Sequence, residues 1–284
     1  MIRPLLVASL LLAALPLAAA GPSPPPRRVA SLNLASDEVL VDLIPPERLI
    51  AVTSFADDPS TSNVVGRVPA SVARFTHADL ERLLALRSDL VVVSDFTDAD
   101  FLHLLAASGL RFHRMEGMDS MEGIRKGIVE LGKAVGAEAQ ARRLVERFDG
   151  SLGDLDGRLA GVRRPRVLYW SEPHTAGEGT VIGAIIERAG AVNVGREMRL
   201  KGVLPIGAER AFVANPDVVL IAKAPGAREA LVRHPVLSRL AAVREGRIVE
   251  MPGSFVVPLS HYAADACWFL AHALHPDRVP ARRP

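Results

Sequence analysis

The chain has 284 residues, 49% hydrophobic and 23% charged, the make-up of a water-soluble globular protein with one large or two modest domains. Its 34 Lys and Arg against 32 Asp and Glu leave a net charge of +2 without a lysine-rich block, which argues against a nucleic-acid binder. The single cysteine, Cys267, excludes a disulfide framework, and the aromatics, at 5%, are few enough that each is worth locating.

Residues 1–20 read as a secretory signal peptide: a positive start at Arg3, an apolar run from Leu5 to Leu17, and the small residues Ala18-Ala19-Ala20 before Gly21. The run is short for a membrane span. The cysteine that would carry a lipid just after such a signal is missing, so the expected product is soluble and periplasmic. Residues 21–28 (GPSPPPRR) form a Pro-rich leader, with order expected from Val29.

From Val29 to residue 118 strand and helix signals alternate, the pattern of an α/β lobe. Strands are expected at Val29–Leu32, Leu49–Thr53, Leu90–Val93 and Arg111–Met115. Helices are expected after a Ser36 cap, after a Thr76 cap with Asp79 in the first turn, and over Asp98–Ser108. Residues 119–162 read as helical throughout. Ser120 caps a helix to Val135, and Leu144, Phe148, Leu152, Leu155 and Leu159 then recur at the spacing of one helix face. Residues 163–275 resume the alternation, with strands at Val167–Trp170, Val218–Ile221 and Arg247–Met251 and helices at Thr180–Ala189 and Tyr262–Ala273. Residues 276–284 form a frayed Pro/Arg-rich tail.

One unit occurs twice. ERLLALRSDLVVV starts at Glu81 and ERAFVANPDVVLI at Glu209; in each, an Asp (Asp89, Asp217) follows the Glu by eight positions and precedes four aliphatic residues. A helix running into such a strand fits a parallel sheet covered on both faces, so two lobes of similar build are expected.

Parallel sheets gather ligands beyond the carboxyl ends of their strands. That places Asn33, Ser54, Phe55, Asp57, Ser94, Asp95 and Phe96 in one lobe, and Trp170, Ser171, Glu172, His174, Thr175, Lys223, Gly253 and Phe255 in the other. Arg74 and Phe75 reach the same level. Phe55, Phe75, Phe96, Trp170 and Phe255 would suit a broad apolar ligand. The chain has no G-x-S-x-G, P-loop or H-E-x-x-H motif, so it is read as no enzyme. His77, His113, His174 and His261 are the set that a bare metal ion would need to draw together.

RVASLNLASDEVLVDL, LIAVTSFADDP, DLERLLALRSDLVVV, HTAGEGT and GAERAFVANPDVVLI, in that order between Arg28 and Leu274, resemble the periplasmic binding proteins that serve ABC importers of cobalamin, haem and ferric siderophores. The resemblance implies an α/β fold of two Rossmann-like lobes joined by a single long spine helix, and a monomer that carries a metal chelate between them without a cofactor of its own. It also implies that Glu81 and Glu209 dock on the membrane permease. Phe75 matches the aromatic that cobalamin binders carry before the first-lobe glutamate; its second-lobe counterpart is Val203. Where haem binders carry a tyrosine this chain has Val65-Gly66-Arg67-Val68. Arg67, Arg74, Arg199 and Lys201 are the cations available to an anionic siderophore, and His174 is a contact for a chelated metal. A corrinoid ranks first as cargo, a ferric siderophore second and haem third. A receptor for free zinc or manganese and a periplasmic α/β enzyme are the alternatives.

Overall fold

A computed structural model describes residues 24–282. The expected signal peptide, residues 21–23 of the leader and the last two residues of the tail lie outside the described residues.

In the first lobe β1 (Val29–Ser31), β2 (Leu49–Thr53), β3 (Ala73–Phe75), β4 (Leu90–Ser94) and β5 (Phe112–Met115) make a parallel sheet ordered β3-β2-β1-β4-β5. α1 (Leu34–Leu43) lies against one face, α2 (Leu80–Ala85) and α3 (Ala99–Ala107) against the other. The aliphatic run of β4 serves both: Leu90 and Val92 join the α1 side, Val91 and Val93 the α2–α3 side, and all four are buried. Three details depart from the sequence reading. β3 is an additional strand, α1 is capped by Asn33 rather than Ser36, and α2 is capped by Asp79 rather than Thr76.

α4 (Met121–Ala134), capped by Ser120, leads into α5 (Glu138–Arg158), the spine. Its 21 residues span roughly 32 Å at the α-helical rise. Ala141, Leu144, Phe148, Leu152 and Leu155 are its buried stripe. Gly150, Gly153 and Gly157 lie off that stripe, where a Cβ would meet no neighbour.

In the second lobe β6 (Arg166–Tyr169), β7 (His174–Ala176), α6 (Val181–Arg188), β8 (Val192–Asn193), α7 (Val194–Glu197), β9 (Val203–Pro205), α8 (Gly207–Ala214) and β10 (Val218–Ala222) come first. α9 (Ala227–Arg233), α10 (Ala241–Arg244), β11 (Ile248–Met251), α11 (Gly253–Val256) and α12 (Ala263–Leu274) complete it. The sheet is parallel, ordered β11-β10-β6-β8, and β7 pairs antiparallel with β9. The Trp268 indole N–H in α12 donates to Ser151 O of the spine. One apolar cluster runs from Leu40 and Val52 through Leu144 and Phe148 to Val167 and Leu220, so spine and lobes share a core. No described helix is long and apolar enough to cross a membrane.

The repeated Asp has one job in both lobes. Asp89 accepts from the Arg28 amide while its own amide donates to Arg28 O; Asp217 does the same with Arg166. Each thus fastens the last strand of its repeat to the first strand of its lobe. Arg28 and Arg166 then donate their guanidinium groups to the open carbonyls at the ends of α2 and α8, at Leu86 and Asn215. Because Asp89 also holds the Arg27 amide, and Arg48 holds Pro26 O, the leader is anchored ahead of Val29. The tail is anchored too: Val279 is buried, its carbonyl 2.8 Å from His272 Nδ1, and Arg282 stacks on Trp268. Expected fraying does not hold up to Arg282.

Candidate functional site

A cavity of about 120 Å³ opens where the first lobe's strand ends meet a segment of the second. Asn33, Ser94, Asp95 and Met115 contribute from the ends of β1, β4 and β5; Val257, Pro258 and Leu259 close the other side. Asn33 Oδ1 accepts from the Ser36 amide at 2.9 Å, while its buried Nδ2 has no partner among the described residues. Phe96, 81% exposed, and the exposed Val257 flank the mouth. In the second lobe a hollow of about 230 Å³ lies at the ends of β6 and β10, lined by Trp170, Glu172 and Ala222. A larger one, about 900 Å³, sits around Asp217, Val218 and Arg247. It lies at the amino ends of the strands, where α/β sheets do not gather ligands.

The sequence-derived residues divide between ligand access and fold. Asn33 and Phe96 share the first-lobe cavity, and Trp170 holds the matching place after β6, its ring edge-on to His234 at 6.4 Å. Phe55 is exposed in the turn after β2. His174 is half-buried in β7, Lys201 is exposed beside Glu178, and Phe255 leans on Phe269 at 6.0 Å. Phe75 and Arg74 do not line the cavity. Phe75, 3% exposed, belongs to the first-lobe core, with the Arg82 guanidinium 4.4 Å above its ring. Arg74 grips both oxygens of Asp57 and donates to the carbonyls of Val68, Pro69 and Val72. Arg67 is likewise engaged, with Asp42 and the Tyr262 hydroxyl. His77, His113, His174 and His261 do not converge: no group of three or more His, Cys, Asp or Glu side chains among the described residues is placed to hold a metal ion.

Sequence reasoning missed the acids of α1. Asp37 is fully buried, with Oδ2 accepting from the Thr53 amide and hydroxyl. Burial pushes its carboxyl up to about 7, against the pull of the Thr53 hydrogen bonds. Glu38 is 2% exposed and also lines the cavity; it accepts from the Asn63 amide and side chain and from the Ser260 hydroxyl. Burial raises its pKa despite these donors. Asp42 is the opposite case. Burial works against its ionisation, but His261, 3.0 Å away, and Arg67 outweigh it and hold the carboxyl down at about 2. Acids on a helix normally read as solvated, and nothing local distinguishes these.

Glu81 and Glu209 each stand exposed in the first turn of their helix, α2 and α8. Neither forms a side-chain hydrogen bond or ion pair with another described residue.

Residues 29–254 match the sequence family described as periplasmic binding protein. A cobalamin-binding protein of Halobacterium salinarum is 25% identical over 204 residues, 69% of this chain and 53% of that one. The chain thus spans about half the length of the curated relatives it matches. Among solved structures, a periplasmic haem-binding protein from Roseiflexus sp. RS-1 in apo form aligns with a TM-score of 0.77 at 21% identity, over 88% of this chain and 98% of the other. A periplasmic haem-binding protein from Pseudomonas aeruginosa aligns with a TM-score of 0.76 at 23% identity, over 91% and 96%. At these identities the likeness is one of fold.

Proposed function

The chain belongs to the periplasmic binding protein family, and from that premise we propose that it is the solute-binding component of an ABC importer, carrying a metal chelate between its lobes to the permease. The observation that carries this reading is the cavity at the strand carboxyl ends, walled by both lobes and edged by Phe96 and Val257. At about 120 Å³ it takes one group of a larger cargo, whose bulk rests in the open cleft above.

A corrinoid is the first-ranked cargo. Two arginines that an anionic chelate would need, Arg67 and Arg74, are spent on Asp42 and Asp57, and the cavity is lined by the carboxylate of Asp95. A polyanionic ferric siderophore or the two propionates of haem would meet repulsion there. The relative described as cobalamin-binding supports the same order. Asn33, Phe55, Phe96, Trp170, His174, Lys201 and Phe255 are the proposed ligand residues, with His174 as a contact for the chelated metal. No resident cofactor and no catalysis belong to this reading, and the protein acts as a monomer. Glu81 and Glu209, exposed and unpaired on equivalent helices, are the proposed contacts to the permease. A signal peptide over residues 1–20 and release into the periplasm belong to the same proposal.

The test is a thermal-shift screen of residues 21–284 with cyanocobalamin, ferric siderophores, haemin, zinc and manganese. A ligand present at many times its Kd raises stability by a few kcal/mol. A shift with cyanocobalamin alone is expected. A shift with a siderophore or haemin alone would reverse the ranking, and no shift with any chelate would overturn the reading.

A further inference from the structure

The ten residues from Gly253 to Tyr262 leave the second-lobe sheet after β11 and cross to the first lobe before α12 begins. They are fastened there at both ends. At the near end, Gly253 packs so closely on Ser60 that a Cβ would stand 2.1 Å from the Ser60 carbonyl oxygen, and Asn63 Nδ2 donates to Ser254 O at 3.1 Å. At the far end three first-lobe side chains hold three consecutive residues: Glu38 takes the Ser260 hydroxyl, Asp42 meets His261 Nε2 at 3.0 Å, and Arg67 donates to the Tyr262 hydroxyl at 2.6 Å. Between the two fastenings, Val257, Pro258 and Leu259 form the second-lobe wall of the cavity.

Glu38 belongs to both parts of this arrangement. It lines the cavity, and its carboxylate joins the near fastening, through Asn63, to the far one, through Ser260. We propose that Glu38 is a positioning residue of the cleft: by clamping Ser260 and Asn63 it holds the Val257–Leu259 strap against the first lobe, and loss of the clamp loosens the strap and speeds escape of the cargo. This rests on the cleft being the cargo site. The clamp itself is a property of the ligand-free protein and can be tested without knowing the cargo.

Ser260 does not line the cavity, so Ser260→Ala removes the clamp from the far side without altering the wall. Glu38→Gln keeps the shape and removes the charge. Hydrogen–deuterium exchange of the ligand-free protein should show amides across 256–263 exchanging about tenfold faster in each variant, as expected for losing a hydrogen bond to a buried charge. Exchange in β10 should be unchanged. The double variant should be no faster than Glu38→Gln alone, because that change already acts on the Ser260 contact as well as on Asn63. Dissociation of cyanocobalamin, followed by its absorbance, should accelerate by a similar factor in Ser260→Ala. Wild-type strap exchange in Ser260→Ala, additive effects in the double variant, or a loosened strap with unchanged dissociation would each overturn the proposal. If the wild type does not bind cyanocobalamin, the corrinoid ranking fails, the exchange arm still decides the clamp, and the dissociation arm is run with haemin.

Discussion

Asp37 makes the fold's stability depend on pH in an unusual direction. Its carboxyl titrates at about 7 in the folded chain against an ordinary 3.8, because burial penalises the charge more than the Thr53 hydrogen bonds relieve it. A carboxyl raised by folding contributes stability that is present below the unfolded value and is lost as pH rises through the folded one. A shift of about three pH units amounts to roughly 4 kcal/mol overall, of which rather more than half falls between pH 5 and pH 7.5. Asp37→Asn removes the titration. Its carbonyl still accepts from Thr53, while its NH₂ replaces an oxygen that already lacks a partner, at a pH-independent cost of about 1–3 kcal/mol. The variant should therefore be less stable than wild type at pH 5 and should close or reverse that gap by pH 7.5. Glu38 also titrates upward, but in both proteins, so the difference between them isolates Asp37. Urea unfolding at pH 5, 6, 7 and 7.5 measures this, and in thermal scans the melting temperatures should converge by about 5–10 °C over the same range. Parallel pH curves for the two proteins would refute the reasoning.

Three further outcomes are expected. Phe75→Ala should cost about 3–5 kcal/mol in chemical denaturation, as for a large core residue, whereas Phe96→Ala should leave stability within about 0.5 kcal/mol and weaken cyanocobalamin binding by titration. Gly153→Ala on the open side of the spine should raise stability by roughly 0.5–1 kcal/mol, because nothing obstructs the added Cβ and the helical backbone is already suited to it. Reversing the charge at both docking positions, Glu81→Lys with Glu209→Lys, should leave melting and cargo affinity unchanged. Binding to the permease in nanodiscs should be abolished, with each single variant intermediate.

The parts legible in the sequence are those fixed by short-range pattern. β4 and β10 were readable because a strand covered on both faces needs an unbroken aliphatic run. The spine was readable because its buried stripe repeats every three or four residues, and the Ser120 cap because a cap acts within its own turn. The two copies of Glu-Arg with an Asp eight positions after the Glu announced two similar lobes, though the Asp's task of joining two strands became visible only once β1 and β4 lay side by side. Position after a strand placed Asn33, Phe96 and Trp170 near the sheet ends, yet could not separate them from Phe75 and Arg74, which β3 directs into the core and into the Asp57 turn. What tertiary structure alone decided is the strap and its clamp. Glu38 and Ser260 are 222 residues apart, and so no local period links them. A carboxylate on a helix is ordinarily solvated, and only the crossing of the chain back over α1 buries Glu38 and turns it into a joint between the lobes.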